Sequence, residues 1–348
     1  MMKARAAMLP AIAVIAFFAP LARAQSSFKF KEVPLERPKE SGQSVTPSYE
    51  GWWQNPDGSF NLLFGYYNRN TKETLDIPIG PDNHMEPGPP DQGQPTHFLP
   101  RRHKGVFTVT VPKDFGDKTL TWTLVAHGHR LSVPGHLGAP WIISPLQEVG
   151  IGNTPPTISF DEKGPAGQGP GPVVVERTAR AGEPLTLDVF AADDGKSLGV
   201  EVLRVTLQVA ISANKDKPGA DTLLDAVQPA RPEDEAVASP QLLAAAAAVG
   251  MDAKTIDLFT GGPAVTLTFE KYRGVGDVIF SDPQPKVTED PASDLPVKQA
   301  FNGRATTTAT FSQPGDYILR VIANDSSGPD GGDFMCCWTN GEVKVTVR

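Results

Sequence analysis

Residues 305–323, ATTTATFSQPGDYILRVIA, constrain the fold of this chain more than any other stretch. Polar and apolar residues alternate through two runs joined at Pro314-Gly315. Successive side chains on a strand point to opposite faces, so strict alternation marks antiparallel strands with one face buried. A last run, GEVKVTVR, repeats the pattern after an acidic, Gly-rich segment, NDSSGPDGGDF. Gly (33) and Pro (34) are spread along all 348 residues, which suits turn-rich β structure better than disorder.

The first half reads the same way. YEGWWQ and SFNLLFGYYN flank Asn55-Pro56-Asp57-Gly58, a hairpin signal. GVFTVTVP and TLTWTLVAH flank Lys113-Asp114-Phe115-Gly116-Asp117 and predict a second hairpin. Residues 78–104 between them read as a Pro-rich loop, long enough to be functional or mobile. No helical period interrupts this half. The expectation is a β-sandwich domain over 48–150, preceded by a polar leader (25–47) and followed by a Pro/Gly-rich linker (151–172). The prolines of GPAGQGPGP remove the N–H groups that a phosphate-cradling loop would need.

In the second half, AGEPLTLDVFAADDG, VTLTFEKYRGVGDVIFSD, TTTATFSQPGDYILRVIANDSSG and GEVKVTVR follow one another. Their order resembles the polycystic-kidney-disease (PKD) type of immunoglobulin-like domain. Asp316-Tyr317, at the head of a strand, resembles the tyrosine corner of such sandwiches. The resemblance implies a seven-stranded sandwich over 173–348, a type common in extracellular bacterial proteins as a spacer or adhesion module. The chain departs from that pattern at 196–262. This insertion contains a short helix around PQLLAAAAAVGM and an apolar run, VEVLRVTLQVAI, which is either part of the insertion or the third strand. The expected fold class is therefore all-β: two β-sandwich domains, the second immunoglobulin/PKD-like with a large insertion containing a short helix.

Lys3, Arg5, the apolar run 6–20 and Ala22-Arg23-Ala24 form a signal-peptide pattern over 1–24, which predicts a secreted or periplasmic protein. No later run approaches the ~20 apolar residues of a membrane span. The formal net charge of −8 disfavours nucleic acid and anionic membrane as partners, leaving a polysaccharide or an extracellular protein.

Candidate sites fall in three places. In an immunoglobulin topology Asp193 and Asp194 share a pole with Asn324, Asp325, Asp330 and Asp333, and oxygen donors of this kind suit Ca²⁺, the one cofactor these residues suggest. Asp, Asn and Gly are also ordinary turn formers, so a plain loop is the competing reading. Cys336 and Cys337, the only cysteines, form a vicinal disulfide, pack as thiols beside Trp338, or bind a soft metal with Met335. In the first domain, His97, Arg101, Arg102 and His103 share one loop, and two adjacent arginines can hold a carboxylate bidentately. All six histidines lie between His84 and His136, which raises a copper or zinc site. Trp52 and Trp53 must point oppositely, so one of them, with Tyr67, is a candidate for stacking on a sugar; packing under a neighbouring loop or domain is the competing reading. No nucleophile-elbow serine or paired zinc cysteines occur. These features point to an exported, non-catalytic binding or adhesion protein acting through sandwich-end loops. A metal-binding protein is the alternative, and a hydrolase with scattered catalytic residues ranks third.

Overall fold

The computed structural model describes residues 38–148, 152–196, 198–229, 238–260, 265–290, 301–325 and 336–348. Its first sandwich contains β1 (Val45–Gln54), β2 (Phe60–Asn68), β3 (Leu75–Asp76), β4 (Asn83–Glu86), β5 (His97–Phe98), β6 (Arg101–Val111), β7 (Leu120–Ala126) and β8 (His129–Gly135). The Asn55–Gly58 turn closes the expected β1–β2 hairpin, with Asn55 N–H donating to Ser59 O at 2.8 Å. Sheet β1-β2-β6 packs on sheet β4-β7-β8, and β3 pairs with β5 alongside. Leu62, Phe64 and Tyr66 share one face of β2, as their spacing predicts, and bury against Phe107, Trp122 and Leu124. Complete burial of an apolar side chain of this size stabilises by roughly 1.5–3 kcal/mol.

Two expectations for this half need correction. The runs on either side of Lys113–Asp117 do not pair with each other: β6 pairs with β2, and β7 pairs with β4 and β8. The turn is an arch between sheets, because alternation fixes which face is buried but not which strand lies alongside. Residues 78–104 are also more ordered than a loop. Asn83, fully buried, donates from Nδ2 to Ile77 O and Pro95 O and accepts from Trp122 Nε1, organising β4 and β5 around it.

The second sandwich contains β9 (Thr157–Ser159), β10 (Ala166–Gln168), β11 (Val173–Ala179), β12 (Pro184–Asp193), β13 (Thr266–Arg273), β14 (Val278–Phe280), β15 (Thr288–Glu289), β16 (Phe301–Phe311), β17 (Gly315–Asn324) and β18 (Trp338–Val347). One sheet runs β10-β9-β12-β16-β14, with β15 also on β16; the other runs β11-β18-β17-β13, with β11 parallel to β18. Residues read as linker therefore supply β9 and β10. The two runs around Pro314-Gly315 lie in opposite sheets, and Tyr317 Oη donates to Gln313 O at 2.8 Å across the arch.

The insertion is helical. It contains α1 (Leu198–Ser212), α2 (Ala220–Val227), α3 (Pro240–Ala248) and α4 (Ala253–Thr260). The expected short helix is α3, whose N-cap Ser239 accepts from Leu242 N–H. VEVLRVTLQVAI, weighed above as a strand, is helix α1. Its β-branched content suggested a strand, but Val200, Leu203, Leu207 and Ile211 are buried while Val202, Val205 and Val209 are exposed, a helical period.

The two sandwiches stack face to face into four layers. On β17, Leu319, Val321 and Ala323 enter the second core, while Ile318 packs on the first. Ile322 joins Trp53, Leu63, Ile143 and Trp338 in a seam between the sandwiches. Both faces of β17 are thus covered, where its alternation predicts one. At the centre of the seam, Gly105 N–H donates to Glu50 Oε2 at 2.6 Å. Its carbonyl accepts from Arg320 Nη2 at 2.7 Å and Asn340 Nδ2 at 2.9 Å. Arg320, 2% exposed, is paired through Nη1 with Glu270 Oε1 at 3.0 Å. Tyr272 Oη donates to Gly93 O, and Arg273 holds Asp91 bidentately at 2.8 and 2.9 Å, adding two links farther along the seam.

Gly105 has φ +56°, and a Cβ there would lie 2.4 Å from the Trp338 ring. Gly105→Ala is expected to lower stability by about 2 kcal/mol or more through overpacking and left-handed backbone strain. Gly58→Ala, whose added Cβ meets only Lys113 Cβ at 3.9 Å, is the comparison. It carries the backbone strain without the clash, and urea unfolding of both variants checks the difference.

Candidate functional site

β1 begins, β2 ends and β6 begins at one end of the first sandwich, and an open groove of about 250 Å³ lies there. Tyr67 and Thr46 line it from the sheet, Lys39 and Gln43 from the chain leading into β1, and Arg69 and Arg101 from the ends of β2 and β6. The leading segment is pinned: Thr71 N–H donates to Lys39 O, and the N–H groups of Lys72 and Glu73 donate to Glu40 O. Gln43 N–H donates to Asn70 Oδ1 at 2.7 Å, and Asn70 Nδ2 returns a bond to Gln43 O at 3.1 Å. Asn70 is fully buried on Asn68, which is itself fully buried and donates to Glu73 O and Phe98 O. Arg69 is thus carried between two immobilised asparagines. Arg101 sits at φ +75°, a conformation sparsely populated by residues other than glycine, with its guanidinium 5.8 Å from the Tyr67 ring centre.

The structure brings together only two of the sequence candidates here, Tyr67 and Arg101. Arg102 points to the opposite face of β6 and donates to Glu50 Oε1 at 2.5 Å and Ser48 Oγ at 2.9 Å, so the adjacent arginines do not form a fork. His97 Nδ1 lies 2.7 Å from Asp76 Oδ1, and Lys271 Nζ reaches the same oxygen at 3.2 Å. His103 stacks on Tyr66 and lies 3.9 Å from Glu270 Oε2. Trp53 is buried in the seam; Trp52 is half-buried, with Nε1 donating to Gly138 O and its ring meeting Phe60 edge-on. Neither tryptophan is the exposed platform that the alternation allowed, because the second sandwich and the 138–143 segment cover that face. Lys39, Gln43, Thr46 and Arg69 were missed by sequence reasoning. The Asn-Arg-Asn triplet at 68–70 was the one local hint, since buried asparagines organise irregular backbone.

At the expected pole of the second sandwich, Asp193, Asp194 and Asp325 do come together around Asn153 and Thr154. Asn153 Nδ2 donates to Asp325 Oδ2 at 2.8 Å, and Thr154 donates through N–H and Oγ1 to Asp194 Oδ2. Asn324 falls on the strand face of Ile322, away from the second core. Asp330 and Asp333 lie outside the described residues. Asp193 is 2% exposed; Oδ2 accepts from Gly195 N–H, while Oδ1 has no partner. Burial, then the neighbouring Asp325 and Asp194 charges, push its pKa well above the usual carboxylate range. Cys336 and Cys337 are joined as a vicinal disulfide, both buried, with their sulfurs 4.0 and 3.5 Å from Asn153 O. Among the described residues, no group of three or more His, Cys, Asp or Glu side chains is placed to hold a metal ion. No described helix is long and apolar enough to cross a membrane.

No protein-family model matches the chain, and no curated protein matches it. Among solved structures it is similar to a protein of unknown function from Porphyromonas gingivalis W83, at 8% identity over 87% of this chain and 100% of that one. The TM-score of 0.19 is too low for that likeness to carry an argument about fold or function.

The raised pKa of Asp193 has a sign for stability. A carboxyl whose folded pKa lies above its unfolded value, about 3.9, favours folding below that value. The contribution is lost as pH rises through the folded pKa, so near neutral pH burying this carboxyl costs stability whichever form it takes. Asp193→Asn keeps an acceptor for Gly195 N–H and removes the charge. It is expected to stabilise on the order of 1–2 kcal/mol at pH 7, with the gain shrinking below about pH 4. Thermal unfolding across pH measures this; a variant less stable than the parent at pH 7 would contradict it.

Proposed function

We propose that this chain is an exported, non-catalytic binding protein that holds one unit of a polysaccharide in the Tyr67 groove. The observation that carries this reading is the groove itself, in which an aromatic ring, amide and hydroxyl groups and cations converge, with the Gln43 backbone fixed by the buried Asn68–Asn70 pair. Sugars present apolar C–H faces to a ring and hydroxyls to polar groups, and a fixed frame lowers the entropy lost on binding. At about 250 Å³ the space is smaller than sites enclosing a drug-sized ligand, roughly 300 Å³ and up, which fits one residue of a longer chain lying across an open surface. Export rests on the basic, apolar and small-x-small order of residues 1–24, and a disulfide between the only cysteines accords with an oxidising compartment. The second sandwich we take to be of PKD type, supported by its strand order and the Tyr317–Gln313 hydrogen bond, and to act as the rigid support of the first.

Affinity electrophoresis of the purified protein through gels containing individual polysaccharides tests the reading. At least one polysaccharide is expected to retard the protein, and Tyr67→Ala to weaken that retardation about three- to tenfold. If no polysaccharide retards it, or if Tyr67→Ala binds as tightly as the parent, the groove is not a sugar site.

A further inference from the structure

We propose that the groove selects a carboxylate-bearing polysaccharide, the anion being held between Arg69 and Arg101. This rests on the sugar-binding reading above and adds the chemical class of the ligand. Arg69 and Arg101, from the end of β2 and the start of β6, line one opening of a chain whose formal net charge is −8. Among the described residues, Glu40 and Glu73 are engaged with other partners. Glu40 Oε1 lies 2.7 Å from Lys72 Nζ, and Glu73 Oε2 accepts from Gly42 N–H at 2.6 Å and lies 3.1 Å from His127 Nε2. The groove therefore concentrates positive charge on a negative molecule, which draws an anion to this spot.

Arg101 adds a second observation. Its backbone at φ +75° disfavours any side chain but tolerates glycine, yet an arginine stands there, aimed across Tyr67 toward the same opening as Arg69. A guanidinium matches a carboxylate through two parallel N–H donors. A single carboxylate borne by one sugar fits a small cationic site inside a negative field.

Polygalacturonate and its fully methyl-esterified form share a backbone and differ in whether each carboxyl is an anion or a neutral methyl ester, and they provide the test by titration calorimetry on the full mature chain. Polygalacturonate is expected to bind at least about tenfold more tightly than the ester, and its affinity to fall as NaCl rises from about 0.05 to about 0.5 M. Arg69→Ala and Arg101→Gly are each expected to weaken it roughly five- to tenfold, the glycine being compatible with the φ +75° backbone so that folding is preserved. If the ester binds as tightly as the acid, the anionic class is wrong while sugar binding stands. If neither form nor any neutral polysaccharide binds, both readings fall. Preference for dextran sulfate over polygalacturonate would overturn the carboxylate assignment in favour of sulfate.

Discussion

The architecture depends on a single glycine. Gly105 presents its N–H to Glu50 of one sandwich and its carbonyl to Arg320 and Asn340 of the other, with the Trp338 ring filling the space where a side chain would be. Arg320 and Glu270 are almost wholly buried, and a buried pair of this kind is worth little net over an apolar contact. Removing one partner is another matter, because the remaining charge is left in the interior at about 3–5 kcal/mol. The seam is therefore specific more than it is sticky: Arg320 finds Glu270, Gly105 O and Asn340 together only where the two sandwiches meet in this arrangement.

That seam and the groove share a strand. From Arg101 to Gly105, β6 gives one side chain to the groove, the next to Glu50, a third to the Tyr66 ring and its last backbone amide to the Gly105 clasp. Displacing the second sandwich would shift the base of the groove by way of this strand. In the proposed function, the second sandwich supports the binding half through this strand rather than serving as a passive spacer. The helical insertion hangs from the opposite pole, beside Asp193, Asp194 and the vicinal disulfide, and has its own core around Leu203, Leu207 and Leu242.

Much of the fold was legible in the sequence because alternation is a local signal. The hairpin at Asn55–Gly58, the core face of β2, the tyrosine corner and α3 all follow from residues close in sequence. Partner choice was not legible. β6 with β7, and β16 with β17, alternate as hairpin strands do, yet each pair divides between sheets, and only long-range packing decides that. Arg320 reads as the wet face of a strand because nothing local announces a second domain above it. Of the site, Tyr67 could be picked out as an aromatic of the first hairpin and Arg101 as a charge in the Pro-rich segment, which in the structure is where β6 begins. Their companions Lys39 and Arg69 come from a leader and a turn that meet only after Asn68 and Asn70 fold inward. Topology alone places Asp193, Asp194 and Asp325 at one pole, and there they lie.

Hydrogen exchange at the Thr96 amide, which donates to Tyr272 O across the seam at 3.2 Å, followed by NMR under native conditions, tests the central claim most directly. If the buried clasp unites the sandwiches, this amide exchanges only by global unfolding, with the same protection as the cores around Leu62 and Val321. Exchange much faster than at those two positions would show that the sandwiches part while each remains folded, and would contradict the clasp as the constraint that sets the structure.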